Sequence, residues 1–238
     1  MTFKLKQFFA LSALVSLTAI STQSLAEGNT VYVSENSTAV GQNVNLVLPV
    51  QGGAHDYFSG SLNITMGTSL QENGSIANGT SFLAYCIDPF QYTSSAPLAY
   101  TSAALNTLGD IKATAISNLY SQSYAGTGSN SLNSSAFQLA LWELAKDDGV
   151  LTTGVVHTTD STEASVITAA SSMINNAQHG VAGTNHYSFS LYTNNNNQDF
   201  LVATLSSVTP VPEPESYAML LAGLGLIGFT ARRRRTSK

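Results

Sequence analysis

Ser135-Ala136-Phe137-Gln138-Leu139-Ala140-Leu141-Trp142-Glu143-Leu144-Ala145-Lys146-Asp147 is apolar almost all round when wound as a helix. Phe137, Leu139, Ala140, Leu141, Trp142, Leu144 and Ala145 leave no broad polar face, so this helix belongs inside a domain, with Gly149 as a plausible stop. Helical spacing also extends to both sides. Residues 103–121 carry Leu105, Leu108, Ile111, Ala115, Ile116 and Leu119 at intervals near three and four, and residues 161–177 carry Val166, Ile167, Ala170, Met173 and Ile174.

The flanks read as strands. Val31 and Val33 alternate, 44–50 is β-rich, and Leu62, Ile64 and Met66 alternate with polar residues. Gly52-Gly53, Asn73-Gly74 and Asn78-Gly79 supply turns. Phe82-Leu83-Ala84-Tyr85-Cys86-Ile87 is a buried strand stopped by Asp88-Pro89. Tyr187, Phe189 and Leu191 alternate, Asn194 to Asn197 turn, and 200–205 returns as the second arm of a hairpin. Strands, three helices, then strands predict an α+β domain: a β-sandwich or barrel with a helical insertion.

Both ends read as processing segments. Lys4 and Lys6, the apolar run 8–19 and Ser24-Leu25-Ala26 form a secretory signal, with the mature chain starting at Glu27. At the other end Pro212-Glu213-Pro214 precedes an uncharged run, 217–229, and then Arg232, Arg233, Arg234 and Arg235. As a helix that run spans about 20 Å, short of a ~30 Å hydrocarbon core, which suits a segment held briefly and cut. The arginines stay cytoplasmic and place everything before Pro212 outside. Gly223-x-Gly225-x-x-Gly228 matches a dinucleotide fingerprint by letters alone, with no preceding strand. The organisation is therefore 1–26 signal peptide, 27–209 extracellular domain and 210–238 sorting signal with a short transmembrane helix.

The order Pro-Glu-Pro, short apolar segment, basic stop resembles the PEP-CTERM sorting signal of Gram-negative bacteria that make exopolysaccharide. The resemblance implies export, an exosortase-type processing protease, transient inner-membrane anchoring, and delivery to the cell surface or extracellular matrix. An ordinary tail anchor without processing is the plainer alternative.

Of nine basic residues in the chain, only Lys112 and Lys146 lie in the body, against twelve carboxylates, a net charge of −10. That balance argues against nucleic acid or anionic lipid as partner. Cys86 is the single cysteine, so it forms no internal disulfide. It is either a small buried side chain, an intermolecular bridge or a reactive group.

Tyr85-Cys86-Ile87-Asp88 and Phe137-Gln138-Leu139-Ala140-Leu141-Trp142 together resemble the paired motifs of thioester domains in bacterial surface adhesins. The resemblance implies a Cys86 thiol joined to the Gln138 side chain as an internal thioester. Tyr85, Ala140 and Trp142 would support the motif. An amine-bearing surface partner would then attack the acyl carbon, giving adhesion or biofilm attachment without turnover, so the chain is not expected to be an enzyme. The same residues have a structural reading: Ser135-x-x-Gln138 fits a capping box, with Trp142 and Cys86 as core. On that reading the chain is a non-reactive component of the exopolysaccharide matrix.

His55, His157, His179 and His186 lack metal-ligand spacing, and no cofactor motif is present, so neither metal nor cofactor is expected. Asp147-Asp148 at a helix end, with Asp160 and Glu163 nearby, offer carboxylates to a cation, but read more plainly as solvated charge, with Glu163 as a residue of the third helix's first turn.

Overall fold

A computed structural model describes residues 29–180, 183–206 and 222–224. The signal segment 1–26 and the sorting tail 210–238, apart from 222–224, lie outside the described residues, including Pro212, Glu213, Pro214 and the four arginines. Among the described residues no helix is long and apolar enough to cross a membrane.

The strands are β1 (Thr30–Val47), β2 (Ala54–Gly67), β3 (Thr80–Cys86), β4 (Leu98–Ala103), β5 (His157–Thr158), β6 (Tyr187–Thr193) and β7 (Phe200–Leu205). Their pairings close a ring. β1 pairs with β2, β2 with β3, β3 with β7, β7 with β6, β6 with β4, and β4 with β1, every pair antiparallel. The expected sandwich or barrel is thus a six-stranded closed barrel, which leaves few free edges. The short β5 extends the far end of β1. Helices α1 (Asp110–Ser123), α2 (Ser131–Lys146) and α3 (Ala164–His179) all lie between β4 and β6 in sequence, the helical insertion anticipated from the pattern.

Three expectations are corrected. The two β-rich stretches at 31–33 and 44–50 belong to one strand, β1, which ends at Val47 and is bent by register shifts at Glu35/Ser37 and Thr38/Gly41. The helix expected over 103–121 starts only at Asp110. Leu98–Ala103 is recruited as β4 because β1 and β6 both need a partner there, and Leu105–Leu108 is a 3-10 turn ended by Gly109 at φ +96°. Ile111 is 88 % exposed, whereas Ala115, Ile116, Leu119 and Tyr120 form the buried face of α1.

The bend in β1 fixes where α2 can sit. Gly41 and Gly60 are register partners at the bulge. A Cβ on Gly60 would lie 2.6 Å from Gly41 Cα and closer still to Val40 O, both backbone atoms, and its φ is +155°. Gly60→Ala is therefore expected to destabilise the domain by about 1–3 kcal/mol, read as a lower midpoint in urea at unchanged slope. Beside this crossing Ser135 Oγ donates to Ser59 O (2.7 Å), Ser59 Oγ donates to Ser135 O (2.8 Å), and Gln42 N donates to Ser135 Oγ (2.9 Å). These buried bonds tie the second turn of α2 to β1 and β2.

Candidate functional site

Helix α2 starts four residues earlier than its apolar run. Asn130 is the N-cap, its side chain accepting from Asn133 N (2.9 Å). Ser135 therefore lies inside the helix, and the capping-box reading of Ser135 and Gln138 is corrected. The serine is spent on β1 and β2, which leaves the glutamine free for another partner.

That partner is Cys86. Gln138 is 1 % exposed and Cys86 4 %. Cys86 N donates to Gln138 Oε1 (3.0 Å), and Gln138 Nε2 donates to Cys86 O (2.7 Å). The carboxamide lies along the end of β3 as a one-residue extension of the sheet on that side. Its carbonyl oxygen faces a backbone donor, and its nitrogen faces a backbone acceptor. The thiol belongs to the same residue whose backbone brackets the carboxamide, so the fold brings Cys86 and Gln138 together.

Of the expected supporting residues, Tyr85 precedes Cys86 in β3, and Ala140 and Trp142 follow Gln138 in α2. Tyr85 is buried, its hydroxyl 2.8 Å from Ser134 Oγ and its ring 4.7 Å from that of Phe137. Ser134 Oγ in turn donates to Val40 O (2.6 Å), which links β3, α2 and the β1 bend. Ala140 is fully buried, and Trp142 is 2 % exposed.

The electrostatics disfavour a thiolate. Burial pushes the Cys86 thiol well above its usual range, with the charges of Glu35, Asp88 and Asp199 adding to it. Asp88 pairs with Lys146 (2.9 Å). Lys112 donates to Ala145 O (2.7 Å) in the last turn of α2. Both lysines of the body are thus engaged at the C-terminal end of the helix that carries Gln138, where cations complement the exposed carbonyls.

A cleft of about 280 Å³ reaches Cys86, with Trp142, Tyr57, Phe58, Phe90 and Glu35 among its walls. Three polar atoms of lining residues are buried without a hydrogen-bond partner: Tyr57 Oη, Gln91 Oε1 and Trp142 Nε1. The spacing of residues along the sequence does not reveal this cleft, because its walls come from β1, β2, α2 and the loop after β3.

The remaining candidates do not converge. His55, His157 and His179 each contact a nearby backbone carbonyl, of Gly52, Gly154 and Asn175 respectively. Glu163 is the N-cap residue of α3 rather than part of its first turn, and accepts from Gln42 Nε2 (2.9 Å) and Ser165 Oγ, bonds that lower its pKa. Asp160 and Glu163 stand apart from Asp147 and Asp148, which instead group with Glu143.

Among solved structures, the fold is similar to the N-terminal thioester domain of a surface protein from Clostridium perfringens, at 12 % identity and a TM-score of 0.41, over 69 % of this chain and 100 % of that one. It is also similar to the N-terminal thioester domain of the fibronectin-binding protein SfbI from Streptococcus pyogenes, at 12 % identity and 0.43, over 74 % and 94 %. The N-terminal domain of the Streptococcus pyogenes pilus tip adhesin Cpa matches at 11 % identity and 0.41, over 73 % and 99 %. No curated protein matches the sequence. Residues 210–235 match the PEP-CTERM protein-sorting motif, which implies exosortase processing and export to the cell surface.

Proposed function

We propose that this exported chain attaches covalently to an amine-bearing partner through a thioester between Cys86 Sγ and Gln138 Cδ. The observation that carries the proposal is the pair of hydrogen bonds between the Gln138 carboxamide and the Cys86 backbone. The Cys86 sulfur attacks Cδ, the Cδ–N bond breaks, and the thiol proton leaves with the nitrogen as ammonia. Cys86 N–H, already on Oε1, stabilises the charge that develops on that oxygen. Holding thiol and amide together substitutes for a catalytic group, since well-oriented intramolecular reactions reach effective concentrations on the order of 10⁵–10⁸ M.

The surroundings favour the product. A site that penalises a thiolate tolerates the uncharged sulfur of a thioester. Burial excludes water, and both body lysines are engaged elsewhere, so the bond is protected from internal aminolysis. An incoming amine attacks Cδ, forms an amide, and returns the proton to Sγ. The aromatic cleft with Glu35 in its wall offers the approach, and the acidic body attracts a cationic partner. Attachment in a biofilm matrix is the setting that the sorting motif favours.

The test is the intact mass of the chain recovered after export, with and without methylamine. The expected mass is one ammonia below the sequence, rising on treatment by one methylamine located on Gln138. Cys86→Ala is expected to keep the fold and lose the reaction. An unshifted mass together with an alkylatable Cys86 points to a non-reactive matrix component, in which the same two hydrogen bonds only latch α2 to β3.

A further inference from the structure

Glu143 is the charged residue that the apolar helix leaves without a solvated face. Its side chain is fully buried, and neither carboxylate oxygen has a hydrogen-bond partner. The backbone amides of Gly149 and Val150 lie near enough to lower its pKa, but Val150 N is given to Asp148 Oδ1 (2.8 Å). One turn on, Asp147 and Asp148 close over it: ligand oxygens from all three carboxylates lie within 4.8 Å of one another. Lys112, which shares the adjacent hollow with Asp147, spends its ammonium on Ala145 O, and Lys146 pairs with Asp88. No positive side chain forms an ion pair with the three among the described residues. Burial, then Asp147 and Asp148, push Glu143 up to about 8.

We infer that Glu143, Asp147 and Asp148 form a calcium site at the C-terminal end of α2. Two oxygens bound to one Ca²⁺ at ~2.3–2.6 Å can be no more than about 5 Å apart, which the three carboxylates satisfy. The all-oxygen, anionic donor set selects a hard dication over zinc or copper. Ligands drawn from a helix end and an adjoining loop suit calcium's variable geometry better than the strict octahedron of magnesium. The C-terminal carbonyls of α2 add negative potential at the same place. The site is separate from the Cys86–Gln138 contact and does not depend on the thioester.

The test uses the exported chain stripped with chelator. Calorimetric titration with Ca²⁺ is expected to show one site with a dissociation constant on the order of 10⁻⁴–10⁻³ M, as in extracellular modules. Saturating Ca²⁺ is expected to raise Tm by about 5 °C. Tb³⁺ is expected to luminesce on excitation of Trp142, the chain's single tryptophan and the neighbour of Glu143, and Ca²⁺ to quench it. Glu143→Gln keeps size and shape and is expected to lose binding altogether. Asp148→Asn, at an exposed position, is expected to weaken binding about tenfold. Absence of heat, Tm shift and luminescence up to ~10 mM Ca²⁺ overturns the site, as does binding that survives Glu143→Gln or a tighter fit for Mg²⁺.

Discussion

Gln138→Ala is expected to abolish methylamine incorporation and, unlike Cys86→Ala, to lower stability steeply. The truncated side chain leaves Cys86 N–H and Cys86 C=O buried with neither solvent nor a replacement partner on that side. Each orphaned group costs about 1–3 kcal/mol, so the pair together costs about 2–6 kcal/mol, before any cavity term. In a domain of this size that is a fall in Tm of about 5–15 °C. Cys86→Ala removes only the sulfur and leaves both backbone bonds to Gln138 intact, so its cost is about 1 kcal/mol of lost burial. Gln138→Glu separates shape from chemistry. It retains an acceptor for Cys86 N–H, but sets a second oxygen against Cys86 O, so the acid must hold a proton to stay buried. All three variants should be silent in intact-mass experiments with methylamine, while thermal denaturation ranks them, with Gln138→Ala well below Cys86→Ala. Equal stability for those two would mean that the carboxamide does not latch α2 to β3, and the positioning argument for the thioester would fail with it.

The contrast shows why the site was legible in the sequence while the cleft was not. Cys86 and Gln138 were paired in the sequence by the resemblance of their two short motifs, each of which sits in a segment whose burial is local: β3 ends in an apolar run, and α2 is apolar on every face. The barrel was readable only as strands before and after helices. Its closure depends on β4, and Leu98-Ala99-Tyr100-Thr101-Ser102-Ala103 has weak alternation of its own. That segment is a strand because Thr101 and Ala103 meet Thr193 and Leu191 of β6 while Thr30 to Val33 occupy its other edge, pairings 65 or more residues away in sequence. The helix start was misplaced because Ser135 looks like a cap, whereas its hydroxyl is spent across the β1 bend and the cap is Asn130. Ile111 fits helical spacing but falls on the outer face of α1, since periodicity does not say which stripe faces inward. Glu143 carried a readable signal: a helix without a polar face has nowhere to solvate a carboxylate.

Phe137→Ala is expected to be the most damaging single truncation, costing about 3–5 kcal/mol. Phe137 is fully buried one residue before Gln138, and its ring lies 4.7 Å from Tyr85, 4.8 Å from Tyr120 and 5.8 Å from Tyr124. Tyr120 continues the cluster to Phe189 at 5.0 Å, so the aromatic cluster connects α1, α2, β3 and β6. Pairs of this kind add about 0.5–1.5 kcal/mol beyond area burial, and the tilted and edge-on angles leave little room for collapse into the space vacated. The consequence reaches the chemistry, because Tyr85 precedes Cys86 and loses its ring partner on α2 while keeping the hydroxyl contact to Ser134 and the ring contact to Tyr124. Phe137→Ala should therefore slow ammonia loss in the fraction that still folds, visible as a mixture of masses in freshly exported protein. Phe137→Leu, which restores most of the volume, should recover both Tm and a single mass. A variant that loses 3–5 kcal/mol yet forms the thioester completely would show that the two hydrogen bonds alone position Gln138, with the aromatic cluster serving stability only.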